Sequence, residues 1–406
     1  MIKSNSFIPS AFSTITKAIS NFGLFFFIGH FYDGVIFTQY IYISAFAAFL
    51  SVVVDMGYST KIVIDFVDKK QSQAMYESYK VRFLIVVPVT IFIILISIFF
   101  NEIWLFLFVF LNAVLSYWLE SFSFSFRFNR KYWLEFFFSL MVHFFPFCIV
   151  SYFLYLKINV EFIFLILLVF KFLVFVWLYL KLEYDSITAK KIKYEVTQSF
   201  KYMIDATSIN IQSLAQVYLA NLFLPSHDFV IFGYAQKITQ AFNTFFSAIN
   251  NIFYPSLARN WLSDIAVKKL VKLFMISANA LPFLLLFVYS FNQDIYFGFL
   301  DQKYISVFGI LDFCIFIVLI RFNNAILGGL LTLAGHQKKR GKINILSFVI
   351  EFIFMFLIGV IAPDYMLFFF AIIISNVFVL IFYLWNVYDD ENLSNLIFSW
   401  KKNRVK

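Results

Sequence analysis

The sequence is poor in charged residues, glycine, proline and cysteine. Charged residues make up 14% of its 406 residues, whereas hydrophobic residues make up 62%. Soluble domains carry roughly 25% charged residues, so this chain has too little polar surface for a water-soluble globule. The same composition excludes a disordered chain. The two cysteines, Cys148 and Cys314, lie singly in apolar runs, which favours packing roles over a disulfide or a metal site.

Motifs of enzyme chemistry are also missing. The sequence contains no phosphate-cradling glycine loop and no HExxH pair. It contains long apolar runs instead, and aromatic residues alone account for 23% of the chain. The first residues lack the small-residue cleavage site of a removable signal peptide, so we expect the first apolar segment to stay in the membrane. These features predict a polytopic membrane protein with no cofactor and no catalytic or metal-binding residues.

The apolar runs are long enough to cross a bilayer. A transmembrane helix needs roughly 20 mostly apolar residues. Twelve runs meet this requirement, at about 9–30, 35–58, 81–100, 103–123, 133–155, 161–181, 202–224, 229–254, 273–291, 306–332, 342–362 and 365–387. The first, seventh and eighth runs are the weakest, because they carry many Ser, Thr, Asn and Gln residues.

Basic residues in the loops test this assignment. Lys and Arg concentrate on the cytoplasmic side of membrane proteins. With the N-terminus placed inside, twenty-six basic residues fall on inner segments and two, Lys157 and Lys303, on outer loops. This asymmetry predicts an all-α integral membrane protein with twelve transmembrane helices and both termini in the cytoplasm. The net charge of +9 then reflects topology, and no nucleic-acid partner is needed to explain it.

The predicted helices divide into two groups of six. The longest inner loop follows the sixth span, and a short internal echo links the two halves. Residues 33–40, DGVIFTQY, open the second span, and residues 228–234, DFVIFGY, open the eighth. An echo this short can arise by chance in an apolar chain. Together with the division into sixes it predicts two six-helix lobes, residues 1–190 and 191–406, an arrangement common among transporters.

Polar residues recur at helical spacing on the first two spans of each half. Polar groups facing lipid are costly, so such stripes should face a water-filled cavity or the bundle interior. Spans three and four are almost wholly apolar by contrast and are predicted to face lipid. We expect a central cavity lined by spans one, two, seven and eight, with hydrogen bonding inside a compact bundle as the alternative. The residues predicted to bind substrate in this cavity are Lys17, Asn21, Gln212, Gln216, Lys237, Gln240 and Arg321.

Charged residues inside the spans are the strongest functional candidates. Lys17, Lys237 and Arg321 suit an anionic head group, although the first two lie close enough to a membrane face to snorkel. Arg321 lies near mid-span at a similar depth to Glu351, so a structural pair and a ligand site are both open. Lys171 has no evident partner, and its role is open. The acidic candidates for a coupling proton or cation, each of which a neighbouring base could equally neutralise, are Asp55, Asp205 and Glu351.

Loose motifs occur in the order typical of one transporter family. Residues 55–59, DMGYS, look like the D-x-G ending of the second span, and residues 233–237, GYAQK, look like a G-Y-x-x-A/K stretch of the eighth. Pro255 looks like the proline that ends the eighth helix. Residues 297–306 and 335–338 look like the segments before and after the tenth span. The whole chain thus resembles the O-antigen and capsular polysaccharide flippases of the multidrug/oligosaccharidyl-lipid/polysaccharide exporter superfamily.

Two positions depart from the family pattern. Gln216 stands where an acidic residue is often found late in the seventh helix, which puts ion coupling through that position in doubt. Thr38 and Gln39 stand where a glycine is expected before the tyrosine of the first half. Coupling that needs the seventh-helix acid therefore does not follow from the resemblance.

The resemblance implies a flippase for a sugar repeat unit on undecaprenyl pyrophosphate, moved across the bacterial inner membrane by alternating access of two lobes. Its partners would be this lipid-linked oligosaccharide, the bilayer, and a polysaccharide polymerase and chain-length regulator. Two rivals stay open, a multidrug/cation antiporter of the same superfamily and an integral-membrane polysaccharide polymerase or ligase. Basic cavity residues favour an anionic cargo over a drug cation, and short outer loops disfavour a polymerase.

Overall fold

A computed structural model of the chain describes residues 4–97, 103–182, 189–259 and 309–390, together with residues 271, 272, 276, 393 and 394. Every secondary-structure element in this part of the chain is helical. The helices are α1 (Ser4–Phe31), α2 (Gly34–Asp55), α3 (Tyr58–Asp68), α4 (Gln71–Ser97), α5 (Ile103–Phe128), α6 (Tyr132–Ser139), α7 (Phe145–Tyr155), α8 (Val160–Tyr179), α9 (Ala189–Phe223), α10 (Ser226–Arg259), α11 (Leu311–Leu333), α12 (Gln337–Ile361) and α13 (Tyr365–Asp389).

Nine of the predicted spans coincide with helical segments of the described residues that are long and apolar enough to cross a membrane. They are spans one to six and ten to twelve, and they support the all-helical membrane fold. The predicted seventh and eighth spans lie in α9 and α10, continuous helices of 35 and 34 residues that are not among these nine. The ninth, predicted over 273–291, lies outside the described residues except for residue 276. The total of twelve spans and the cytoplasmic termini stay predictions.

The chain divides into two compact units, Met1–Leu214 (unit 1) and Ala215–Lys406 (unit 2). The division falls within α9, whereas we placed the boundary between the predicted lobes at residue 190. In unit 1, α5 is central and packs against α2, α3, α4 and α8, while α1 packs on α6 and α7. In unit 2, α11 packs against α10, α12 and α13. Among the described helices, α5 in unit 1 and α11 in unit 2 each pack against at least three others.

The two units repeat one hydrogen bond at the same sequence spacing. In unit 1, the Asn112 side chain donates to the backbone carbonyl of Phe164 at 2.7 Å. In unit 2, the Asn324 side chain donates to the backbone carbonyl of Asn376 at 3.0 Å. Both residues of the second pair lie 212 positions after their counterparts, at 324 against 112 and at 376 against 164. The match relates α5 to α11 and α8 to α13, and it supports an internal repeat independently of the short sequence echo.

The sequence motifs around α10 differ from what we predicted. Asp33 caps α2 by accepting a hydrogen bond from the Ile36 backbone N–H at 2.9 Å. Its counterpart in the echo, Asp228, lies inside the first turn of α10, which already begins at Ser226. The prediction that Pro255 ends this helix is wrong, because α10 continues to Arg259. A proline is tolerated inside a transmembrane helix when neighbouring groups satisfy the freed backbone carbonyl.

The fifth span contains a π-helical turn, Leu140–Phe144, between α6 and α7. Such turns insert one extra residue into an α-helix, are rare, and occur frequently at functional sites. Before the turn, Ser139 is fully buried; after it, Val150 and Leu154 are fully buried. The turn itself carries His143, so a titratable side chain lies at the break in the helical pattern.

Candidate functional site

The polar interior of unit 1 is organised by α5. Five polar residues recur along this helix at steps of three and four, which places them on one face. They are Asn112, Ser116, Glu120, Ser123 and Arg127. The prediction of a lipid-facing fourth span is wrong, because this face is buried against α1, α6 and α8 or bonded to them. The third span behaves as predicted, and α4 exposes apolar side chains such as Leu84, Val87 and Ile91.

Four charged residues form a network at the centre of unit 1. Lys17 on α1 forms an ion pair with Glu120. Arg127 Nη2 lies 3.3 Å from Glu120 Oε1, and Arg127 Nε lies 2.7 Å from Glu135 Oε1. Ser10 Oγ donates to Glu135 at 3.3 Å. Two bases and two acids compensate one another here, so the charge of Lys17 is balanced inside the unit rather than by snorkelling.

Other polar residues of α1 are also bonded within unit 1. Ser139 donates to the backbone carbonyl of Ser13 at 2.8 Å. Side-chain hydroxyls of α1 donate to the carbonyl four residues earlier in the same helix, and they belong to Thr14, Thr16 and Ser20. These bonds satisfy the hydroxyls locally, and the central cavity between the lobes stays a prediction. Asn21 is exposed on α1 and lies outside these contacts.

Asp55, one of the coupling candidates, is buried in a structural ion pair. Its Oδ1 lies 2.5 Å from Arg82 Nη2, and both side chains are almost inaccessible. Arg82 Nη1 donates to Ser121 Oγ at 2.8 Å, and the Ser59 backbone N–H donates to Asp55 Oδ2 at 2.9 Å. Because a base already neutralises Asp55, this arrangement favours a structural role, and a coupling role for Asp55 stays a prediction.

Lys171 has a partner that the sequence did not reveal. Its Nζ donates to Ser116 Oγ on α5 at 2.9 Å, and the residue is 9% exposed. The role of Lys171, which the sequence left open, thus includes a hydrogen bond to α5. Ser116 in turn donates its hydroxyl proton to the Asn112 carbonyl at 2.8 Å.

A second charged group lies outside the membrane spans, where α3 and the start of α9 meet. Lys61 Nζ lies 2.6 Å from both Asp65 and Glu195, and Lys69 Nζ lies 2.6 Å from Glu195 and 3.0 Å from Glu77. These contacts attach the first turns of α9 to α3 and α4 within unit 1. We call these five residues the α3–α9 ionic cluster.

Burial and charge shift the pKa values of this cluster in different directions. Burial raises the pKa of Asp65, and the neighbouring Lys61 only partly offsets it. Burial also disfavours the charged forms of Glu195 and Lys69, but their mutual hydrogen bond and those to Lys61 and Glu77 outweigh it. The pKa of Glu195 is therefore lowered and that of Lys69 raised.

In unit 2, Glu351 is the centre of a buried polar network. Gln216 Nε2 donates to Glu351 Oε1 at 2.5 Å, and Gln236 Nε2 donates to Gln216 Oε1 at 2.9 Å. Ser375 on α13 also donates to Glu351. All four side chains are nearly inaccessible. Gln216, which stands where the flippases that the sequence resembles often have an acid, is thus bonded to a carboxylate that α12 supplies.

The remaining predicted site residues are distributed over three helices. Arg321 Nε donates to Asn376 Oδ1 at 3.4 Å, and the charge of Glu351 is near enough to act on the guanidinium. Half-buried side chains on α9 and α10 belong to Gln212, Lys237 and Gln240. Asp205 lies in α9, but its side chain is outside the described part of the structure. Over the described residues, no group of three His, Cys, Asp or Glu side chains could hold a metal ion.

Sequence reasoning missed Glu120, Glu135 and Arg127 as interior residues. The sequence did contain a sign of them, because polar residues recur every three or four positions along α5 and because Glu120 and Glu135 lie inside predicted spans. The high average hydropathy of the fourth span concealed this pattern. The structure brings Lys17 together with this missed network, and Gln216 together with Glu351.

Comparison with solved structures identifies the architecture. The eukaryotic MATE transporter AtDTX14 is 12% identical and matches with a TM-score of 0.71 over 96% of each chain. An outward-facing multidrug resistance MATE family transporter of the MOP superfamily is 14% identical, with a TM-score of 0.70 over 98% of this chain and 95% of that one. The fold is that of the MATE transporters.

The MATE fold also covers proteins with other pockets. A MOP superfamily transporter from Pyrococcus furiosus, for which reversed polarity of the binding pocket suggests a different function, is 12% identical, with a TM-score of 0.63 over 96% of this chain and 95% of that one. No protein-family model and no curated protein matches the sequence. The superfamily resemblance is thus supported at the level of fold, and the fold does not separate its members.

Proposed function

We propose that this protein is a membrane transporter of the bacterial inner membrane that flips an oligosaccharide linked to a polyprenyl pyrophosphate. Transport is supported by the fold, since the solved structures that match almost the whole chain are transporters. The same likeness favours transport over a polysaccharide polymerase or ligase. The anionic cargo rests on one observation, an excess of bases over acids at membrane depth.

The excess is visible in the interior of unit 1. Among the described residues around α5, Lys17, Arg127 and Lys171 face only two acids, Glu120 and Glu135. A charge without a counter-ion at membrane depth is costly, and such residues commonly mark a transport pathway. An anionic head group offsets that cost, whereas a drug cation increases it.

Unit 2 has the same sign of imbalance over its described spans. Away from the helix ends, these spans carry two bases, Lys237 on α10 and Arg321 on α11, and one acid, Glu351 on α12, whereas Asp312 lies in the first turn of α11. Guanidinium and ammonium groups are the usual protein ligands of phosphate oxygens. Both units therefore favour a cargo that carries negative charge.

A multidrug/cation antiporter is the second candidate, because it fits the MATE fold equally well and the matched structures include multidrug resistance transporters. Glu351, a buried carboxylate, is the residue that would hold a cation in that case. The two candidates differ in the sign of the transported charge, which a transport assay measures directly.

The test uses the full chain in proteoliposomes that contain a fluorescent polyprenyl-pyrophosphate oligosaccharide, with a membrane-impermeant reductant added outside. Flipping exposes the inner-leaflet label, and we expect faster loss of protected fluorescence than in protein-free vesicles. Arg321→Gln should slow flipping by roughly tenfold, as expected for the loss of one charged hydrogen bond. Lys157→Gln, at an exposed loop residue, is the control. Transport of a cationic dye without any flipping would instead establish the antiporter.

A further inference from the structure

We propose that Lys171 and Ser116 form an anion-binding site in unit 1 that takes a phosphate group of the transported lipid. The proposal rests on the function proposed above and names the residues that recognise the head group in this unit. Four features of Lys171 carry it: its unused hydrogen-bond donors, its missing counter-ion, its counterpart in unit 2 and its surroundings.

The first feature is the donor capacity of the Lys171 ammonium. A lysine ammonium has three N–H donors. One is bonded to Ser116 Oγ, whose own proton already goes to the Asn112 carbonyl. Among the described residues, Ser116 is the hydrogen-bond partner of Lys171, so two donors remain for a ligand. Ser116 holds the ammonium in place by accepting from it.

The second feature is the missing counter-ion. In the described part of unit 1, Lys17 and Arg127 are paired with Glu120 and Glu135, and Arg82 is paired with Asp55. Lys171 is more than nine-tenths buried near the middle of α8, and its partner is a neutral hydroxyl. A buried charge of this kind is normally compensated. A phosphate oxygen would supply the compensation that the described residues do not.

The third feature comes from the internal repeat. The offset of 212 that relates Asn112 to Asn324 also relates Ser116 to Gly328 and Lys171 to Tyr383. Gly328 and Tyr383 are neighbours as well, since a Cβ on Gly328 would lie 3.1 Å from the tyrosine ring, and Arg340 Nε would lie 3.0 Å from the same Cβ.

The comparison of the two positions shows that the fold does not require a lysine. In unit 2 the position holds a buried tyrosine whose hydroxyl donates to Asn344 at 2.8 Å, a neutral contact. The lysine position itself is therefore filled by an uncharged side chain in unit 2, where the base beside Gly328 is Arg340 of α12, which donates to the Gly328 carbonyl at 3.2 Å. Because a tyrosine fills this position in unit 2, packing at the position does not require a lysine, and ligand binding explains the charge in unit 1.

The fourth feature is the setting of the site. His143, in the π-helical turn, is close enough for its ring to interact electrostatically with Lys171 and with Lys17. Ser116, Glu120 and His143 each keep part of their surface exposed, whereas Lys171 is more than nine-tenths buried. The ammonium thus lies beside a partly exposed hydroxyl and near the His143 ring, which can donate a hydrogen bond to a further phosphate oxygen.

The test measures binding of undecaprenyl pyrophosphate and of inorganic pyrophosphate to the full chain in detergent by calorimetry. Lys171→Met removes the charge with little change in size, and we expect it to weaken lipid binding by about tenfold or more. Lys171→Arg should retain binding. The double variant with Ser116→Gly and Lys171→Tyr copies the residues of unit 2 at these two positions, so it should fold and still lose the affinity. Lys157→Gln is the control for a surface lysine.

Each outcome is informative. If Lys171→Met and the double variant both bind the lipid as tightly as the wild type, the site is wrong while the proposed function stands. If the wild type binds neither probe, the site and the anionic cargo of the proposed function both fail. Loss of binding in both variants with unchanged unfolding temperatures supports the site, because a merely structural lysine would change stability instead. Inorganic pyrophosphate that binds as tightly as the lipid identifies the free anion as sufficient, and weaker binding identifies the lipid head group.

Discussion

Gly57 lies directly against the backbone of Tyr202. A Cβ at position 57 would be 2.5 Å from the Tyr202 carbonyl carbon, a distance that real Cβ atoms do not adopt. Gly57 also has φ of +72°, in the left-handed region that favours glycine. Two independent requirements thus explain the glycine of the D-x-G motif. The turn from α2 into α3 needs a left-handed backbone conformation, and the close approach of the α9 backbone leaves no room for a Cβ.

Gly57→Ala should destabilise the protein more than backbone strain alone can explain. Gly335 provides the matched control, because its φ is +85° but nothing lies within 4 Å of an added Cβ. Gly335→Ala is expected to lower the free energy of unfolding by about 1–2 kcal/mol, the cost of a left-handed backbone conformation for a residue with a Cβ. The larger loss for Gly57→Ala would appear as a lower unfolding temperature in detergent. Equal losses for the two variants would contradict the close approach to α9.

Lys17 and Glu120 should be energetically coupled. Glu120→Gln leaves Lys17 without its carboxylate and is expected to destabilise unit 1 by roughly 2–3 kcal/mol. The double variant with Lys17→Met should lose less than the sum of the two single changes, with an interaction energy of about 1–3 kcal/mol. A double-mutant cycle of unfolding temperatures measures this difference. Additive effects would show that the pair does not form.

The α3–α9 ionic cluster should make stability depend on pH through Glu195. Hydrogen bonds from Lys61 and Lys69 outweigh burial and lower the pKa of Glu195 below its ordinary 4.5. A carboxylate with a lowered pKa in the folded state contributes stability above its unfolded pKa, and this is lost as pH falls through the folded pKa. Glu195→Gln should therefore be less stable than the wild type at neutral pH, and the two should converge below pH 4.5.

Asp65→Asn is the control for this pH series. Burial raises the pKa of Asp65, so protonation of this residue favours the folded state. The difference in free energy of unfolding between Asp65→Asn and the wild type should therefore change with pH in the opposite direction to the difference for Glu195→Gln. If both variants show the same pH trend, the directions assigned to the two carboxylates are wrong.

Glu351→Gln should uncouple transport from an ion gradient while the protein stays folded. The carboxylate is buried between Gln216 and Ser375, where neutralising it removes the group that can hold a proton or cation. In proteoliposomes with an imposed proton or sodium gradient, we expect the gradient-driven stimulation to fall by roughly tenfold. Asp312→Asn, at an exposed position on α11, is the matched acidic control. If the gradient stimulates Glu351→Gln as much as the wild type, Glu351 is not the residue that couples transport to the ion.

Nine of the spans could be predicted from the sequence because bilayer thickness sets the length of an apolar run. The interior of unit 1 could not be predicted the same way. The polar face of α5 is one side of a helix whose other sides are apolar, so the average over the span hides it.

The partners of individual charged residues could not be predicted from the sequence for a different reason. Lys17 meets Glu120, and Gln216 meets Glu351, across more than a hundred residues of chain. Which of several charges at one depth come together depends on how the helices cross, and helical spacing within one span carries no information about that. The same limit explains why Arg321 and Glu351 could be placed at a common depth but not assigned partners.

The extra residue in Leu140–Phe144 determines which face of α7 is buried. A continuous helix that buries Glu135 would return to the same face near residues 149 and 153, after about four and five turns of 3.6 residues. Val150 and Leu154 are fully buried instead, and Ile149 is 44% exposed. Deleting one residue from this turn would rotate Phe145–Tyr155 by about 100° relative to Tyr132–Ser139. Side chains of α7 that now pack against the protein would then be exposed, and exposed apolar side chains would turn toward the protein, whereas α6 would keep its packing.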